Sequence, residues 1–257
     1  MTSTVDVAAY LDQLLQTSAV PDYPNALNGL QLENDGRISK AAASVDFSLR
    51  TVTLALEQKA DFLILHHGMF WGGLKPITSS AYARMRLLIE NNVAVYSSHI
   101  PLDRHPVFGN NVLLSQELGL KPSGDFALFK GIPIGVSGET DLATKDLLER
   151  SRLFARKHGG EAISSGFEEN RRTRRWAMCT GAGASSETLE EAHALGCDTL
   201  IVGEGPHHTA VQAEELGIAV IYAGHYATET LGVAALAKHV AEKFRLDWTT
   251  IHAPTGL

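Results

Sequence analysis

Cysteine is scarce: the 257 residues contain two, Cys179 and Cys197, beside apolar runs and without CxxC spacing. A disulfide framework or a cysteine zinc knuckle is thereby excluded, and both thiols read as small core side chains suited to a reducing compartment. Long apolar runs are missing too. No stretch approaches the roughly 18 apolar residues that cross a bilayer, and Met1 to Val20 lack a basic leader followed by an apolar core, so a soluble cytoplasmic chain is expected. Positive charge is in deficit, 22 Lys and Arg against 29 Asp and Glu, and the net charge of -7 repels nucleic acid and anionic membranes. A nucleic-acid-processing role starts at a disadvantage.

What the chain does have is a globular composition, 44% hydrophobic and 20% charged, and enough length to bury a core in one or two domains. Apolar spacing predicts helices over 7–16, 49–59, 81–90, 110–118, 144–157 and 187–195. Short apolar runs predict strands over 41–45, 62–65, 93–96, 176–179 and 199–202. Strands and helices alternate, which is the pattern of an α/β fold with mostly parallel sheets. The Gly- and Pro-rich segment between Lys121 and Gly138 marks a crossing into a second domain. The expected division is a first α/β domain over 1–124 plus 225–257, carrying the chemistry, and a second, similar one over 125–224.

The halves echo each other. Thr51, Val52, Ala55, Asp61, Leu63 and Ile64 recur 137 positions later as Thr188, Leu189, Ala192, Asp198, Leu200 and Ile201. The run Asn92-Val93-Ala94-Val95 is matched by Gly217-Ile218-Ala219-Val220, and a histidine follows each, His99 and His225. A duplicated α/β unit accounts for this.

The 11 histidines are unevenly placed, with two adjacent pairs and others directly after strand-like runs. Open α/β sheets bind ligands beyond the carboxyl ends of their strands. There the run to Leu65 enters His66-His67-Gly68, the next strand leads through Ser98-His99 to Asp103, and Val220-Ile221 leads to His225 and Glu229. His66 and His67, adjacent on a strand, point apart and suit two neighbouring ions better than one, while His225 and Glu229, four apart, share a helix face. Three imidazoles and two carboxylates exceed the roughly three protein ligands of one catalytic ion and suit a pair of divalent ions with a bridging carboxylate. Mixed imidazole and carboxylate donors accept Zn, Mn, Fe, Co or Ni. Asp46 and His99 read as groups that orient such ligands, and His99 is also a candidate for catalysis. Glu204, His207 and His208 are candidates for substrate binding. Gly181-Ala182-Gly183-Ala184 before a helix could cradle phosphate, though it lacks a P-loop lysine. Arg171-Arg172-Thr173-Arg174-Arg175 reads as a solvated turn or a salt-bridged edge, and Trp71 as packing.

Taken together, Asn28-Gly29-Leu30-Gln31, the segment from Asp61 to Gly68 with Phe70-Trp71 behind it, Ser98-His99 through Asp103, Gly203-Glu204 with His207-His208, and Gly224-His225 with Glu229 resemble the Nif3-like family of dinuclear metal-centre hexameric proteins known as type 2 GTP cyclohydrolase I. The resemblance spans nearly the whole chain. It implies His66, His67, Asp103, His225 and Glu229 as metal ligands with Glu229 bridging, and two similar α/β domains assembled as a toroidal hexamer of three dimers. It also implies a metal-dependent hydrolase in which a bridging hydroxide attacks a nucleotide-like substrate, such as the imidazole ring of GTP, opened with loss of formate. A non-catalytic metal-binding scaffold or regulatory ring is the alternative.

Overall fold

The computed structural model describes residues 2–257. In chain order the elements are β1 (Thr2–Ser3), α1 (Thr4–Leu15), β2 (Gly29–Leu32), β3 (Arg37–Ile38), β4 (Lys40–Asp46), α2 (Leu49–Glu57), β5 (Phe62–His67), α3 (Ser79–Glu90), β6 (Ala94–Ser97), α4 (Ile100–Asp103) and α5 (Asn110–Glu117). They continue with β7 (Gly124–Phe129), β8 (Ile132–Ala143), α6 (Thr144–Lys157), β9 (Ile163–Ser164), β10 (Arg172–Cys179), α7 (Ser186–Ala194), β11 (Thr199–Val202), α8 (His207–Glu215), β12 (Ala219–Tyr222), α9 (His225–Phe244) and β13 (Asp247–Thr250). The described chain is mixed α/β. No helix in it is long and apolar enough to cross a membrane.

Two compact units result, one comprising the chain up to Leu102 with Gly232–Ala253, the other Asp103–Leu231 with Pro254–Leu257. The division differs from the expected one over 1–124 plus 225–257. Leu114 and Leu118 of α5 and its following turn share a core with Trp176, Met178 and Ile201, and Ala227 from the first turns of α9 joins the same core. Asp103, His225 and Glu229 therefore belong to the second unit, Asp103 as its first residue and His225 and Glu229 on either side of Ala227.

The first unit is built on a five-stranded sheet in the order β13-β4-β5-β6-β2, in which β2 alone runs antiparallel. Its central strands are buried along nearly their whole length, as a parallel sheet covered by helices requires. Helix α2 begins where the Ser48 hydroxyl accepts from the Thr51 N–H, and buries Thr51, Val52 and Ala55.

The second unit has a six-stranded sheet, β7-β8-β10-β11-β12-β9. Here the expectation of mostly parallel strands fails, since only β10-β11 and β11-β12 are parallel. Lys130 and Gly131, with φ of 46° and 86°, form the two-residue turn between β7 and β8, and so short a loop can join only antiparallel strands.

Both units contain the same parallel core, β4-β5-β6 in one and β10-β11-β12 in the other, each with a short antiparallel strand at its far edge. The repeated residues have repeated jobs. Ser48 and Ser185 both cap helices through Thr51 and Thr188. Asp61 accepts from the Ser39 and Lys40 N–H groups, and Asp198 from those of Arg174 and Arg175, each acid tying the start of a preceding strand. The basic run lies largely on β10, where Arg172 pairs with Asp141 and Arg175 with Glu139, while Arg171 donates to the carbonyls of Asp198 and Gly217.

Candidate metal centre

In the first unit the parallel register sets Asp46 beside His67 at the ends of β4 and β5. The chain turns out of the sheet at Gly68, where a Cβ would run into Gln31 and Ser97. Both histidines are buried, His66 wholly, and His99 beyond the end of β6 is buried with them. The rings of His66 and His67 lie 4.8 Å apart, as do those of His66 and His99. Each of the three offers a nitrogen, and the three nitrogens lie within 4.8 Å of one another. Adjacent strand residues thus reach one cluster because the strand is ending there.

Each ring is held by an acceptor at Nδ1. His66 donates to the Ser98 carbonyl at 3.0 Å, His67 to Asp46 Oδ1 at 2.8 Å and His99 to Asp22 Oδ1 at 2.9 Å. With Nδ1 engaged, Nε2 is the nitrogen each ring has left to offer a metal. Asp22 is itself pinned by N–H donors from Tyr23, Asn28 and Ile100. Burial alone would raise its carboxyl pKa, but the bond and charge of His99, with Asn28 and Tyr23, outweigh that and hold it below the usual carboxylate range. Trp71 stacks on His67 with centroids 4.7 Å apart.

In the second unit, α9 opens at His225 after Gly224, and Glu229 follows one turn on, 3% exposed. His225 Nδ1 donates to Glu204 Oε1 at 2.8 Å, and its Nε2 lies 3.1 Å from Glu229 Oε2. Burial would lower the His225 pKa, yet the two carboxylates raise it to about 9. Gly181, with φ +64°, admits the Glu229 carboxylate where a side chain would collide with it. Asp103, at the end of α4, accepts from Asn110 Nδ2 at 2.8 Å, and Asn111 ties the same region down by donating to Ile134 O and accepting from Thr180 N. Burial pushes the Cys179 thiol up to about 12, and the charges of Asp103 and Glu229 add to that shift.

Among the other candidates, Glu204, read from sequence as substrate-binding, is engaged by His225, while His207 and His208 open α8 on the surface. The glycines Gly181 and Gly183 are explained by packing rather than a phosphate cradle. A Cβ at 183 would strike the Cys179 carbonyl, and α7 is capped separately by Ser185. Asp22 was not singled out from the sequence, where it is an acid in a polar loop 77 positions from its partner.

The strand-end geometry fits what comparison finds: the family model Duf34/NIF3 (NGG1p interacting factor 3) matches residues 2–255. The chain belongs to the Duf34/NIF3 family. Relatives in this family named "GTP cyclohydrolase 1 type 2 homolog" include one from Deinococcus radiodurans, 38% identical over 98% of this chain and 94% of its own length. Another, from Pyrococcus abyssi, is 40% identical over 98% of both. Among solved structures, protein ybgI, described as of unknown function, superposes with a TM-score of 0.88 at 30% identity over 100% of both chains. A protein from Thermus thermophilus does so at 0.80 and 31%, again over 100% of both.

Proposed function

We propose that this Duf34/NIF3 protein is a metal-dependent hydrolase in which His66, His67, Asp103, His225 and Glu229 would hold two divalent ions, and that its substrate is nucleotide-like. The observation that carries the reading is the buried cluster of His66, His67 and His99, whose nitrogens lie within 4.8 Å. Three buried imidazoles whose nitrogens lie this close, each held by an acceptor at Nδ1, are arranged to share an ion. Neutral imidazoles oriented through Nδ1, together with buried carboxylates, are the donor set of Zn, Mn, Fe, Co or Ni.

Ions bound there would supply acidification of water and stabilisation of negative charge on a substrate. The chain's own residues supply the rest. Asp46, Asp22, Glu204 and the Ser98 carbonyl each accept from the Nδ1 of one ring and so fix the orientation of four, and the Gly181 backbone leaves room for the Glu229 carboxylate. His99, outside the ligand set but within the imidazole cluster, is the group placed to hold or move a proton at Nε2.

The name of the relatives points to ring opening of GTP with release of formate as the first reaction to assay. The protein is stripped with chelator, reloaded with Zn, Mn or Fe, and its ions counted per chain. Formate and a ribosylated pyrimidine from GTP are measured beside hydrolysis of p-nitrophenyl phosphate. We expect two ions per chain and turnover of GTP, both reduced in His67→Ala and Glu229→Gln. Turnover of the ester alone would make it a phosphoesterase, and metal held without turnover of either would favour a scaffold. A protein that retains no ion refutes the reading. Assembly as a toroidal hexamer of three dimers belongs to the same proposal and is checked by solution mass.

A further inference from the structure

The first unit contains a cavity of about 400 Å³, within the range of roughly 300–1,000 Å³ that holds small molecules. Asp46 and His67 contribute to its wall, so it adjoins the imidazole cluster. Phe47, Phe70, Trp71 and Met85 give it flat and adaptable apolar surface, and Lys75 and Arg84 bring positive charge. Asp46 is the acid in the lining, and it is engaged by His67 at 2.8 Å.

Arg84 is the unusual member. Its guanidinium carbon lies 5.1 Å from the centre of the Phe47 ring. Its Nε is buried without a hydrogen-bond partner, and no carboxylate pairs with it among the described residues. A buried guanidinium N–H that lacks an acceptor is costly, and the planar fork is matched by two oxygens of one anion. The same side chain lines the cavity, so its positive charge, which no carboxylate among the described residues offsets, faces an anionic ligand bound there. The aromatic walls beside it suit a flat ring, since stacking is tolerant of which ring is offered.

Resting on the reading above, we propose that this cavity is the substrate's recognition subsite: a heteroaromatic ring packs against Trp71 and Phe70 while a phosphate group on the same molecule is taken by Arg84, with Lys75 adding charge. The site then selects phosphorylated, mononucleotide-sized molecules over their uncharged nucleosides, and it does so through residues that are not metal ligands.

The test is calorimetric titration of the full chain with GMP and with guanosine, in metal-loaded and in chelator-treated protein. In both forms GMP should bind at least tenfold more tightly than guanosine. Arg84→Met should remove most of that preference, a loss of about ten- to a hundredfold for GMP, while leaving guanosine binding unchanged; the unchanged nucleoside affinity also shows that the variant is folded. Arg84→Lys should fall between the two, and Trp71→Ala should weaken both ligands alike. Equal affinities for GMP and guanosine in the unaltered chelated protein, or a GMP affinity indifferent to Arg84→Met, overturn the subsite. A preference that exists only with metal present also overturns it, while leaving the metal reading intact. An Arg84-dependent preference in a protein that never retains metal would uphold the subsite and sink the hydrolase.

Discussion

Gly181→Ala is the sharpest probe of how the second unit is built. Gly181 has φ +64°, and a Cβ there would run into Glu229 Oε1, with the carboxyl carbon 3.2 Å and His225 Nε2 3.4 Å away. Two costs arise. Left-handed backbone strain on a residue with a side chain is about 1–2 kcal/mol. Crowding a packed neighbour adds about 1–3 kcal/mol where that neighbour cannot yield. Glu229 is 3% exposed and paired with His225 at 3.1 Å, so its carboxylate has no cheap exit. Gly217→Ala provides the control, because φ is +68° there and nothing lies within 4 Å of the added atom. Strain alone should lower the melting temperature of Gly217→Ala by a few degrees. Gly181→Ala, losing about 2–5 kcal/mol in total, should fall by roughly 4–20 degrees at about 2–4 degrees per kcal/mol. Scanning calorimetry of chelated and metal-loaded protein reads both numbers. The loaded form should show the wider gap, since a displaced ligand also forfeits the stabilisation that binding confers on the folded state. If Gly181→Ala melts within about one degree of Gly217→Ala in both forms, the packing argument at Glu229 is wrong.

Asp46→Asn removes the charge that orients and polarises His67, and is expected to weaken metal binding by about ten- to a hundredfold in a chelator competition while the far-ultraviolet circular dichroism stays unchanged. Asp22→Asn leaves His99 and three further donors around a neutral amide, for a predicted loss of about 1–3 kcal/mol near neutral pH in urea unfolding. Because the folded-state pKa of Asp22 is depressed, its charged form stabilises the fold above the unfolded carboxylate value, and that contribution is lost as pH falls through the lower folded value. The difference between parent and variant should therefore shrink below about pH 4, and a gap that stays constant into acid would refute the assignment.

Much of the architecture was legible in one dimension because it depends on local periods. The helix over 144–157 coincides with α6 and the strand over 199–202 with β11, and other predicted elements differ by a residue or a few at their ends. The internal echo between Thr51–Ile64 and Thr188–Ile201 corresponds to a repeated strand order and to paired roles for Ser48 and Ser185, Asp61 and Asp198. The strand-end position of His66, His67 and His99 could likewise be read, since a run of apolar residues ending in imidazole is a local signal. The mixed second sheet was missed because the helix-strand alternation of its later half hid the hairpin at Lys130-Gly131. The compact units divide the chain elsewhere than the expected domains because Leu114 and Ala227, close in sequence to first-unit segments, pack into the core of the second unit.

Sequence alone, then, determined the kind of protein this is: an alternating α/β chain, internally repeated, with imidazoles and carboxylates at strand and helix ends and a family membership those residues carry. Tertiary structure decided which group faces which. That Asp22 holds His99 from 77 positions away, that Glu229 fits because Gly181 lacks a side chain, and that Arg84 lies over Phe47 with its Nε buried and without an acceptor are products of strand register and loop packing. Residue type and spacing fix what a side chain is able to do, whereas its acceptor, its neighbours and its exposure to water depend on segments that sequence order keeps far apart.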